Sequence, residues 1–162
     1  MIIDFRKSKG ATISDDEKYR YCLHRIWNRK LSYVMFIMLN PSTADANKDD
    51  ATIRKCMAYA KTWGYGGILV GNLYALRSRD PKALEYSSDP VGPDCDRWLK
   101  VMAKVCDLRI AAWGNKILST KRADQIKNLI PPLSCLELSK NGNPKHPLYL
   151  RKTLKPRLLV FR

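Results

Sequence analysis

The chain has 162 residues, 45% of them hydrophobic, and thirty Lys and Arg stand against fifteen Asp and Glu for a formal charge of +15. That length suits one ordinary domain with room for a real core, so residues 1–162 are read as a single domain. No stretch approaches the roughly 18 unbroken apolar residues of a membrane span, and the opening MIIDFRKSKG carries no secretory apolar region. A membrane protein is excluded on this reading, and the expected location is the cytoplasm.

The cysteines Cys22, Cys56, Cys95, Cys106 and Cys135 are scattered and never spaced as Cys-x-x-Cys, which predicts reduced, mostly buried thiols rather than a disulfide frame. With His24 and His146 as the only histidines, neither a metal centre nor a cofactor is expected.

In chain order, YRYCLHRIW (19–27) alternates as a strand, with Tyr19, Tyr21, Leu23, Arg25 and Trp27 on one face, and is expected at a sheet edge. SYVMFIML (32–39) is apolar almost throughout and reads as a strand covered on both faces. The loop LNPSTADANKDD follows. ATIRKCMAYAKTW (51–63) sets Ile53, Cys56, Met57 and Ala60 at helical spacing, closed by Gly64, Gly66 and Gly67. GILVGNLYAL (67–76) is a second buried strand. After a loop over 78–94, DCDRWLKVMAKVC (94–106) lines Trp98, Val101, Met102 and Val105 along one helical face. LRIAAWGN (108–115) is a third strand, LSTKRADQIKNLI (118–130) a helix stopped by Pro131-Pro132, and LSCLEL (133–138) a fourth strand.

This alternation predicts an α/β fold: a three-layer α/β/α sandwich with a central, mainly parallel, four-stranded sheet and an N-terminal edge strand. Such sheets carry function beyond their strands' carboxyl ends. Here those ends read Leu39-Asn40-Pro41-Ser42, Gly71-Asn72-Leu73, Trp113-Gly114-Asn115, and Ser139-Lys140-Asn141-Gly142 running into Lys145-His146-Pro147. One shared edge predicts one site.

Asn40 cannot act as a base, but its amide oxygen can hold a water in a fixed direction. The alternative is a turn or helix-entry motif capped by Ser42 or Thr43. Asn72 is either a turn residue or an amide that reads the polar edge of a nucleobase. His146 sits in a loop that proline keeps from being helical and can donate to a group that becomes negative. His24, inside the first strand, reads as structural. The base-rich end, Lys140, Lys145, Arg151, Lys152, Lys155, Arg157 and Arg162, against Asp45, Asp49 and Asp50 after the first strand end, suggests a positive rim around an acidic pocket. Nucleic acid is the expected partner.

Together the blocks LNPS, ILVGNLYALR, IAAWGN and HPLYL resemble, in order and spacing over residues 33–150, the motifs of the uracil-DNA glycosylase superfamily. In finer detail, YRY, LNPSTAD, WGYGG, GPD, AWG and HPLYL resemble a family catalogued as a domain of unknown function. The glycosylase resemblance implies cleavage of a base–sugar bond after a nucleotide is flipped out of single- or double-stranded DNA. By position it implies Asn40 as the water-orienting residue, Asn72 as base reader and His146 as donor to the departing base. Leu150 matches the side chain that wedges into the vacated stack, with Leu148 and Tyr149 as rivals. Ser42 joins the base pocket, and Lys145, Arg151 and Lys152 the DNA contact. Met38 stands where a glycine is usual, and no Tyr follows Pro41, so strict uracil selectivity is not implied. No aromatic lies between Pro41 and Met57, which leaves Tyr74 or Trp113 to stack on the base. Asp45 and Asp50 either add an acid to the site or cap the next helix. Three readings follow: a DNA glycosylase, a nucleic-acid-binding module without chemistry, and an enzyme acting on free nucleosides or nucleotides.

Overall fold

The computed structural model describes residues 3–160 apart from 43 and 118. The capping part expected of Thr43 and the terminal base Arg162 lie outside the described residues. Seven strands, β1 (Lys9–Ile13), β2 (Arg20–Ile26), β3 (Tyr33–Met38), β4 (Gly67–Asn72), β5 (Leu108–Ala111), β6 (Ser134–Cys135) and β7 (Arg157–Leu158), form one sheet in the order β1-β2-β4-β3-β5-β6-β7. The helices are α1 (Ala51–Thr62), α2 (Ala83–Tyr86), α3 (Cys95–Val105) and α4 (Thr120–Leu129), with a short 3-10 turn at Pro147–Tyr149.

The sheet corrects the expected four-stranded, mainly parallel design. It has seven strands and is mixed: β1–β2, β2–β4 and β6–β7 pair antiparallel, and β4–β3, β3–β5 and β5–β6 pair parallel. The two additions at the flanks had weak local signals. KGATI has no apolar run, and β7 is two exposed residues held to β6. Because β1 covers it, β2 is not an edge strand, and all seven of its residues are buried.

Alternation along the buried strands sorts their side chains to two apolar clusters. Val34, Phe36 and Met38 of β3 meet Ile53, Cys56, Tyr59 and Ala60 of α1. Met35 and Ile37 join Leu99 and Met102 of α3 and Ile126 of α4 on the opposite face. In β2 the alternation breaks. Thr12 pairs with Cys22 but Ile13 pairs with Arg20, so the register skips Tyr21, the mark of a β-bulge. Tyr21 therefore joins the α3 face while Leu23 stays on the α1 face, not together as the even alternation predicted. The same bulge lets Arg20 and Arg25, an odd number of residues apart, both reach the loop after β3.

Local chemistry sets the helix ends. Asp50 accepts the Ile53 N–H at 2.8 Å and caps α1, which stops at Gly64 with φ +84°. Ser119 accepts the Lys121 N–H at 3.1 Å to cap α4. Buried Arg122 of α4 donates from Nε to the Leu73 carbonyl at 2.7 Å and from Nη2 to Asp96 of α3 at 2.7 Å, fixing both helices to the end of β4. All five cysteines are free and buried, and burial pushes the Cys22 and Cys95 thiols up to about 12. Among the described residues no helix is long and apolar enough to cross a membrane.

Gly66 lies where the β2–β3 turn meets the start of β4, and a methyl there would sit 2.0 Å from the Asn28 carbonyl oxygen. Backbone cannot step aside as a side-chain tip can. Gly66→Ala is expected to lose about 1–3 kcal/mol, the usual cost of overpacking, read as a lower urea midpoint with an unchanged slope.

Candidate functional site

The parallel strands finish side by side, Met38 opposite Asn72 and Ile37 opposite Ala111, so their outgoing loops start in one row. Asn72 continues the series Ile68, Val70 and so lies on the α1 side of β4. It is 3% exposed, and its Nδ2 has no hydrogen-bond partner among the described residues. A buried donor of this kind costs stability unless something outside the chain accepts from it.

Asn40, two residues past β3, donates from Nδ2 to the carbonyls of Pro41 at 3.1 Å, Leu76 at 3.4 Å and Ser78 at 3.0 Å. Three carbonyls around one amide nitrogen fix which end is which. The Oδ1 accepts nothing among the described residues, and it is the atom left to hold a water. The loop that follows is tied to β2. Arg25, 1% exposed, donates to the Asp49 carboxylate at 2.6 Å and to the carbonyls of Asp45 at 2.6 Å and Lys48 at 3.3 Å. Arg20 donates to the Ala44 carbonyl. Asp45 spends its carboxylate within the loop, on the Asn47 and Lys48 N–H groups at 2.8 Å each, and those bonds hold its carboxyl below the usual range. The expectation that Asp45 adds an acid to the site is corrected accordingly. Asp50 serves as the α1 cap through Oδ1, while its Oδ2 faces the exposed Ser42 hydroxyl at 3.5 Å.

His146 is half-buried at the entrance to the 3-10 turn. Its Nδ1 accepts the Leu148 N–H at 3.2 Å, so the neutral ring carries its proton on Nε2. Burial lowers its pKa, and the Asp50 carboxylate partly offsets this. Gly114, at φ +74°, brings the end of β5 behind it, its N–H on the Pro144 carbonyl at 2.8 Å. Asn40, Asn72, Asp50, Ser42 and His146 thus belong to the carboxyl edge of the sheet and the elements on its α1 side.

Other expected site residues fall elsewhere. Tyr74 and Trp113 are 3% and 2% exposed within the cluster on the α3 and α4 face, opposite Asn72, so neither offers a stacking surface beside it. They are core aromatics. Leu150, expected as the wedge, is half-buried against the α1-face cluster and its carbonyl accepts from Lys55 Nζ at 2.6 Å; Leu148 is half-buried too. Tyr149, between them, is 91% exposed and is the side chain that projects. Lys145 is engaged by Glu137 at 2.5 Å, whereas Arg151 and Lys152 are exposed. His24 contacts the Lys7 carbonyl at 3.2 Å and fills the space over Gly10, a structural role. Open cavities of about 1000 Å³, between α4 and the 138–144 loop, and about 650 Å³, beside α2, are not lined by Asn40, Asn72 or His146.

Reading the chain missed Arg20, Arg25 and Arg122. The signal available for the first two was a pair of arginines inside a strand whose other residues are largely apolar. Among the described residues no group of three His, Cys, Asp or Glu side chains is placed to hold a metal ion.

Residues 20–148 match the model of the family described as Protein of unknown function (DUF1643), and the chain belongs to that family. The matched range runs from Arg20 to Leu148, so it takes in the whole of this strand-end row but neither β1 nor β7. No curated protein and no solved structure matches the chain.

His146 is expected to titrate below the ordinary histidine value of about 6.5, and Asp50→Asn to lower its midpoint further, since the carboxylate's field favours the charged ring. Histidine ring chemical shifts followed against pH check both directions. Because the folded ring is the harder one to protonate, its stabilising contribution is present above the unfolded value and is lost as pH falls from there through the folded midpoint.

Proposed function

We propose that this member of the DUF1643 family hydrolyses the N-glycosidic bond of a damaged or modified base flipped out of DNA. The observation that carries the reading is the Asn72 amide. It is a buried donor without a partner at a strand end, on the sheet face where Asn40 and His146 also lie. A flat heterocycle bearing a ring or carbonyl acceptor would satisfy it. The order of LNPS, ILVGNLYALR, IAAWGN and HPLYL, similar to the uracil-DNA glycosylase superfamily, supports the same assignment.

In this mechanism Asn72 Nδ2 donates to the base, and Asn40 Oδ1 orients a water toward the sugar C1′. The bond from C1′ to the base nitrogen breaks with its electron pair leaving on the base. His146 Nε2–H, neutral at physiological pH because burial holds its pKa down, donates to the oxygen on which that charge gathers. Water forms the new bond to C1′ and gives up its proton. Asp50, whose field reaches His146, counters the positive charge that develops on the sugar. Tyr149 fills the gap in the stack, and Arg151 and Lys152 meet the backbone. With Met38 and no tyrosine after Pro41, the pocket suits a base bulkier than uracil.

A second reading keeps the base pocket without chemistry. It is favoured by the three carbonyls that Asn40 staples, a structural duty that would fix that residue even in a pure binding module.

A panel of duplex and single-stranded oligonucleotides carrying uracil and modified bases separates the two. Wild type is expected to leave alkali-labile abasic sites on at least one member, and His146→Ala to lose about 10²–10³-fold in rate with binding nearly intact. Binding that weakens steeply with salt, with no abasic product anywhere on the panel, would select the second reading.

A further inference from the structure

We propose that Arg20 and Arg77 form an anion site for a phosphodiester beside the Asn72 amide, an assignment that rests on the α1 side of the strand ends being the substrate face. Arg20 is 3% exposed. Among the described residues its guanidinium makes one hydrogen bond, from Nη1 to the neutral carbonyl of Ala44, and its Nε has no partner. Neither Arg20 nor Arg77 forms a salt bridge with a carboxylate among the described residues. Arg25, the next cation, is answered by Asp49 at 2.6 Å.

The charges that act on Arg20 from the surrounding elements are Asp50 in its favour, with Arg77 and Arg25 against it, and burial draws its pKa down to about 10. Once the Arg25–Asp49 pair is set aside, two guanidinium charges face one carboxylate. The excess is one positive charge, and a phosphodiester carries one negative. Leaving a cation buried without a matching anion is costly, and a chain with alternatives such as Met at that strand position gains nothing from it in the absence of a ligand. The two guanidinium groups can each take a non-bridging oxygen of one phosphate, the contact for which arginine is best shaped. Arg20 belongs to β2 and Asn72 to β4, adjacent strands, so a phosphate at the first and a base at the second suit one nucleotide.

Calorimetry on the intact protein with a dinucleoside monophosphate, with inorganic phosphate, and with free nucleosides tests the site without any need for turnover. Saturable binding is expected for the diester, and Arg20→Met is expected to weaken it about tenfold or more, the worth of a charged hydrogen bond. The Arg20→Met urea midpoint should equal or exceed that of wild type, because the substitution removes an unbalanced buried charge. Equal affinity in wild type and Arg20→Met, or no saturable binding of diester by wild type, overturns the proposal. If Arg20→Met does not fold, Arg77→Gln carries the same expected weakening, and an unchanged affinity there overturns it. Arginine-dependent diester binding with no base ever released would sink the glycosylase reading and leave the anion site standing. Tight binding of inorganic phosphate but not of the diester would overturn the choice of ligand.

Discussion

The arrangement of the strand-end edge depends on one buried cation. Arg25 of β2 sends its guanidinium across the sheet edge to the Asp49 carboxylate and to the carbonyls of Asp45 and Lys48, so a segment without regular structure is bound to the most buried part of the sheet. A loop of that kind has carbonyls that no helix or strand satisfies. Supplying them from an arginine has two effects at once. It meets their hydrogen-bonding need, and it fixes where Asp50, the next residue, starts α1. Asp50 in turn sets the field felt by His146 and Arg20. The acid-rich stretch after β3 is therefore the counterpart of β2's arginines more than it is a reserve of catalytic acid.

The overall charge of +15 and this local pairing act on different scales. At the surface, Arg151, Lys152, Lys155 and Arg157 are exposed, and their effect on a polyanion is long-ranged and screened by salt. Inside, Arg20, Arg25 and Arg122 are almost wholly buried, and each is held by backbone carbonyls. Arg25 and Arg122 add a carboxylate, Asp49 and Asp96 respectively. Arg20 has none. The departure of one member from a shared pattern is what marks it, and the other two show what this chain does when an arginine's duty is only to join elements.

Much of the secondary structure was legible because long periodic segments carry their own signal. Ile53, Cys56 and Ala60 identified the inward face of α1, and Trp98 and Met102 that of α3. The row of polar strand ends followed from the alternation of strands and helices. What escaped was encoded in pairings between distant segments. β1 exists because β2 offers it an edge, β7 because β6 does, and neither has a local pattern strong enough to stand alone. The bulge at Tyr21 was invisible for the same reason, since it is defined only against β1, and without it the even alternation of β2 sends Tyr21 to the wrong face. Trp113 shows a further limit. Its place after a strand suggested exposure at an edge, yet it continues the outward-and-back alternation of β5 into the cluster over α3 and α4.

The buried groups without partners all have the same polarity. Arg20 Nε, Asn72 Nδ2 and Trp113 Nε1 are N–H donors, and they sit at or just past the ends of β2, β4 and β5. Within the sheet the ladders pair the backbone, so unmatched donors gather where strands stop. On the α1 face two of them stand on neighbouring strands, and no buried acceptor there is left unmatched to balance them. A ligand edge that presents amino hydrogens would set donor against donor and leave both desolvated, at a cost of about 1–3 kcal/mol for each group. A carbonyl, a ring nitrogen or a phosphate oxygen would meet them without that loss. Discrimination between an oxo and an amino group on an otherwise similar ring then needs no special side chain, since the unmatched polarity of the strand ends already imposes it.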